Sequence, residues 1–134
     1  MIGEQFQQLK EYLHEFKHQD SEIQRRADGS YLITIKGIDL PDGWSQSPRK
    51  VDILFVAPPG YPAARPDCFW VSPPVRLPNG AIPQNANEGT PLPYDTTPGR
   101  PLTWFSWHLQ TWDPNRDRLE QFYRVILQRL EPPR

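Results

Sequence analysis

One cysteine in 134 residues leaves Cys68 nothing to pair with inside the chain. An internal disulfide and a multi-cysteine metal site are excluded, in keeping with a reducing compartment. An excess of charge of one sign is also lacking. Fifteen basic against 16 acidic residues, a formal net charge of −1, give no electrostatic footprint for phosphate backbones or anionic lipid. Nucleic acid and membrane are therefore not expected partners. No apolar run approaches the ~20 residues that span a bilayer, and the opening MIGEQFQQLKEY lacks the basic, apolar and small-residue succession of a secretory signal. A cytoplasmic protein is expected. Internal repeats are missing too, and a chain of this length buries roughly two thirds of its unfolded surface around one core, so residues 1–134 are expected to form a single domain.

What the chain has in excess is proline, 17 residues against a usual ~5%. Before the prolines gather, the pattern is regular. Phe6, Leu9, Leu13 and Phe16 recur at helical spacing and predict an amphipathic helix over residues 3–18. Glu22 to Arg26 and Ser30 to Lys36 read as strands joined by Ala27-Asp28-Gly29, where Asp-Gly accepts the positive φ of a tight hairpin. Val51 to Val56 and Asp67 to Val71 read as a third and a fourth strand. Ser72 to Leu102 then holds eight prolines and no periodicity, which predicts a long irregular segment packed by its own apolar residues. Leu119, Phe122, Tyr123, Ile126, Leu127 and Leu130 predict a closing helix, with Asp113 as N-cap and Pro114 at its first position. The fold class expected is α+β: a helix, a four-stranded antiparallel meander, a proline-rich irregular segment and a closing helix.

Three stretches carry candidate chemistry. His14-Glu15-Phe16-Lys17-His18 has the zinc-hydrolase pattern, two histidines one turn apart with a glutamate between them. Both histidines fall roughly 120 to 160° from the centre of the apolar stripe, which makes a solvated helix face the expected role and a bound metal not expected. Cys68 lies between Asp67 and Phe69 in the fourth expected strand, where it reads as small core filler with nothing nearby to draw out a thiolate. Ser106 and His108 stand two residues apart among Trp104, Trp107 and Trp112. A serine hydroxyl is a weak nucleophile that needs an adjacent base, and a histidine at i+2 points the same way only if the backbone is extended or turned. The structural alternative makes the tryptophans core residues, with Ser106 and His108 satisfying local backbone groups. Exposed at the surface, Trp104 and Trp107 would instead mark a partner-binding face.

The stretch APPGYPAARPDCFW, with Tyr61-Pro62, Pro66 and Trp70, resembles the tyrosine-proline turn of ubiquitin-conjugating enzymes, and Trp112-Asp113-Pro114 resembles the Trp-x-Pro that introduces a helix there. The bacterial branch called prokaryotic family E is the closer resemblance. It is carried by Pro66-Asp67-x-Phe69, by Leu77-x-Asn79-Gly80-x-x-Pro83, and by Phe105-Ser106-Trp107-His108, whose serine lies six positions before Trp112. The resemblance spans about residues 22–131 and implies a ubiquitin-conjugating (UBC-like) fold. It also implies the acyl-carrier step of a bacterial ubiquitin-like conjugation pathway. The partners it implies are a ubiquitin-like protein, an activating enzyme and a deconjugating peptidase encoded nearby, without a cofactor.

Positions 99 to 111 hold no cysteine, and the usual His-Pro-Asn reads Leu77-Pro78-Asn79. The resemblance thus implies Ser106 as acyl acceptor through an oxyester, His108 as base or orienting group and Asn79 as oxyanion donor, a contribution worth about 3 to 4 kcal/mol in hydrolases. The alternative is a non-catalytic adaptor of the same fold that binds the activating enzyme or the ubiquitin-like protein.

Overall fold

The computed structural model of the chain describes residues 2–13, 20–44, 50–92, 101–107, 109 and 111–134. Helix α1 (Ile2–Tyr12) is followed by β1 (Asp20–Arg25), β2 (Tyr31–Asp39), β3 (Lys50–Ala57), β4 (Phe69–Ser72), β5 (Ala86–Asn87), β6 (Thr103–Phe105) and α2 (Leu119–Leu130). The class is α+β, as expected. The sheet is antiparallel with strand order β1-β2-β3-β4-β6-β5, so the anticipated meander is present and carries two further strands drawn from the proline-rich segment and from its end. No period-two run announces β5 or β6, because two- and three-residue strands are too short to show one.

The first hairpin turns where Asp-Gly stands. Gly29 has φ +88°, and Asp28 Oδ1 accepts from the backbone N–H of Ser30 at 2.9 Å and from its hydroxyl at 2.5 Å. The stripe of α1 packs as its spacing predicts, with Leu9 and Leu13 fully buried and Phe6 against the same core. Gln5 is buried beside them, its side-chain oxygen taking the hydrogen bond of the Tyr61 hydroxyl.

Both faces of the sheet are covered. Ile33, Ile35, Ile53, Phe55, Phe69 and Val71 join the helices, where α2 contributes Leu119, Phe122, Tyr123, Ile126 and Leu130. Leu32, Leu54 and Trp70 form a second cluster closed by Leu92 and Leu102 of the proline-rich segment. Adjacent strand residues such as Leu32 and Ile33 are therefore both buried, which a one-sided sheet would not allow.

The start of α2 differs from expectation. Asp113 is not its N-cap: Asp113 Oδ1 accepts from the Asn115 N–H, and its carbonyl accepts from the N–H groups of Arg116 and Asp117. Asp117 Oδ2 accepts in return from the Asp113 N–H at 2.8 Å. These local side-chain bonds satisfy a separate turn, and the helix begins five residues beyond Pro114, at Leu119. There the Gln121 side chain accepts from the Arg118 N–H at 2.7 Å. Among the described residues no helix is long and apolar enough to cross a membrane.

Candidate functional site

Phe105, the last residue of β6, is held on several sides before the chain reaches Ser106. Its ring stacks on Phe69 at 4.7 Å, meets Trp44 edge-on at 6.4 Å and lies under the Arg129 guanidinium at 4.9 Å. The backbone then stays extended. The Ser106 N–H donates to the Asn85 carbonyl at 2.8 Å, and the carbonyl of Trp107 accepts from the Cys68 N–H at 2.9 Å. Neighbouring residues bonding to opposite sides is the alternation of a strand, so Ser106 and Trp107 continue the line of β6. His108 itself lies outside the described residues, as do His14, Glu15 and His18.

Ser106 is half-buried and borders a cavity of about 550 Å³ together with Asn85, Trp107, Leu109, Thr111, Val125 and Gln128. A second hollow of about 190 Å³ shares Leu109, Thr111 and Val125 and extends past Trp112 to Asp117. Together they border α2 on one side and the segment from Ser106 to Trp112 on the other. Spaces of this size accept a peptide-sized group. Trp112 anchors the far end: its indole N–H donates to the Pro62 carbonyl at 2.7 Å and its ring lies 5.9 Å from that of Tyr61. Trp112 is half-buried and joins the Tyr-Pro turn to the segment before α2, where the sequence suggests a core residue.

Cys68 is not in mid-strand. It precedes β4 in the left-handed region at φ +61° and is buried. Burial pushes its thiol pKa up, against the hydrogen bonds from the Trp107 backbone contact and the Trp104 side chain. The chain's one cysteine is thus buried with its thiol pKa raised, and it is not among the described residues that border the cavity. Trp104 and Trp107 are each half-buried, Trp104 against the second cluster and Trp107 against the main core, and Trp107 also borders the cavity.

Asn79 sits in an exposed turn in which the Gly80 N–H donates to the Leu77 carbonyl and the Ala81 N–H donates to Asn79 Oδ1 at 3.0 Å. It is not among the described residues that border the Ser106 cavity; Asn85 is. Of two signals for the neighbours of Ser106, one is a backbone torsion that only the structure shows and the other stands in the sequence. Asn85 has φ +55°, a conformation asparagine tolerates better than most residues. Arg129 occupies an apolar-stripe position of α2, three residues after Ile126.

Prokaryotic E2 family E matches residues 6–132 of the chain. No curated protein and no solved structure matches it. A match over nearly the whole sequence, with both helices packed on one face of the antiparallel sheet and the Trp-x-Pro segment beside a cavity, assigns the chain: it belongs to prokaryotic E2 family E, the ubiquitin-conjugating-enzyme-like proteins of bacterial conjugation pathways.

Proposed function

We propose that this protein accepts the C-terminal carboxyl group of a ubiquitin-like protein as an oxyester on Ser106 and passes it to an amine. The observation that carries the reading is the position of Ser106, on a strand-like backbone at the wall of a 550 Å³ cavity, while the one cysteine is buried with its thiol pKa raised. The Ser106 hydroxyl attacks the thioester carbonyl held by the activating enzyme. A C–O bond forms, the C–S bond breaks, and the hydroxyl proton passes through His108 to the departing thiol. An incoming amine then displaces Ser106, which regains its proton as the amide forms. An oxyester has a poorer leaving group than a thioester, so the second step relies more on donors to the oxyanion. Asn79 is one candidate donor, and Asn85, which borders the cavity, is the other.

The test is incubation with the activating enzyme, ATP and the ubiquitin-like protein. Mass spectrometry is expected to find an adduct that survives thiol but not hydroxide, and that disappears in Ser106→Ala. Tight binding without an adduct would make the protein an adaptor that docks the activating enzyme or the ubiquitin-like protein, with Trp107 at the cavity as its contact.

A further inference from the structure

Arg129 projects from the buried face of α2 and is only 2% exposed. A guanidinium at that depth has lost its water and needs acceptors from the protein. Its Nη2 donates to the Gln84 carbonyl at 2.8 Å and to the Arg134 carbonyl at 2.9 Å, whereas Nη1 is buried without a hydrogen-bond partner among the described residues. Aromatic faces take up the rest of the charge. The guanidinium carbon lies 4.9 Å from the ring centroid of Phe105 and 5.8 Å from that of Trp107, both within cation–π range.

These contacts converge on one point. Phe105 and Trp107 are the two neighbours of Ser106 in the chain, and Gln84 immediately precedes Asn85, whose carbonyl receives the Ser106 N–H. One buried cation therefore holds both sides of the Ser106–Asn85 bond. Arg129 is itself absent from the described residues that border the cavity, so it reaches the site only through what it grips. An apolar residue would fill this stripe position without any of these directional bonds.

We propose that Arg129 is a positioning residue. It clamps Gln84, Phe105 and Trp107 so that Ser106 keeps one position at the cavity wall. Its effect on transfer rests on the acyl-acceptor role of Ser106, whereas the clamping itself does not.

The experiment has two readouts on Arg129→Met, which keeps the length and can stack a thioether on the rings but cannot donate to Gln84. Amide hydrogen exchange is expected to quicken about tenfold at Ser106 while the amides of β2 and β3 keep their wild-type rates, because only local opening is eased. In transfer from the charged activating enzyme, kcat is expected to fall roughly ten- to a hundredfold with KM unchanged, as a displaced nucleophile requires. Arg129→Lys, which can still reach an acceptor, is expected to recover part of both and stands in if the methionine variant does not fold. Wild-type exchange at Ser106 in the folded methionine variant, or in the lysine variant where that one stands in, overturns the proposal, as does faster exchange shared by β2 and β3. Faster exchange confined to Ser106, in a protein whose wild type forms no adduct, upholds the clamp and removes the acyl-acceptor reading instead.

Discussion

The Ser106 N–H donates to the Asn85 carbonyl at 2.8 Å, a bond made just beyond the Phe105–Ala86 pair of β6 and β5. It sets the candidate nucleophile and a carboxamide-bearing residue just beyond the ends of paired strands at one cavity, although 21 positions separate them in the chain.

Because Asn85 has φ +55°, its backbone and side-chain roles can be separated by mutation. Asn85→Gly keeps the left-handed backbone and is expected to leave the urea midpoint near wild type, while Asn85→Ala is expected to cost roughly 1 kcal/mol. If the carboxamide assists the oxyanion, both variants slow transfer to the amine. A loss that follows stability alone would return that role to Asn79, tested in parallel with Asn79→Ala.

Trp112 ties the Tyr-Pro turn to the segment before α2. Trp112→Phe retains a ring against Tyr61 but loses the 2.7 Å bond to Pro62, and equilibrium unfolding is expected to show a loss of roughly 1 kcal/mol. Trp112→Ala also removes the packing and is expected to cost more, about 2 to 3 kcal/mol for a half-buried ring.

Cys68 supplies a pH test. Burial raises its pKa in the folded protein, so the unfolded chain gives up this proton first as pH rises. The contribution of Cys68 to stability is complete below the ordinary thiol range and declines above it. Unfolding curves at alkaline pH are expected to fall less steeply in Cys68→Ala than in wild type. Alkylation of the native protein at neutral pH is expected to be slow, and Cys68→Ser is expected to form the Ser106 adduct at the wild-type rate.

The elements with a full period were legible from the sequence. The α1 stripe through Leu9 and Leu13, the Asp28-Gly29 turn, the four strands of the meander and the α2 stripe from Leu119 to Leu130 all lie close to where spacing places them. The misplaced features depend on competition or on a backbone torsion. Asp113 has the chemistry of a helix cap, but Asp117 four residues later captures its N–H and closes a separate turn. Cys68 lies outside the strand because its backbone takes a left-handed φ of +61°, which breaks the extended run just before β4, and no local spacing announces that torsion.

Residue order by itself determined the α+β class, the helical stripes and the family, because periodicity, turn chemistry and short motifs are local properties written within a few positions. Tertiary structure alone decided which carboxamide borders the Ser106 cavity and what holds the serine there. Asn85, Ser106 and Arg129 meet through strand pairing and aromatic packing across the chain, and no spacing rule reaches over such separations.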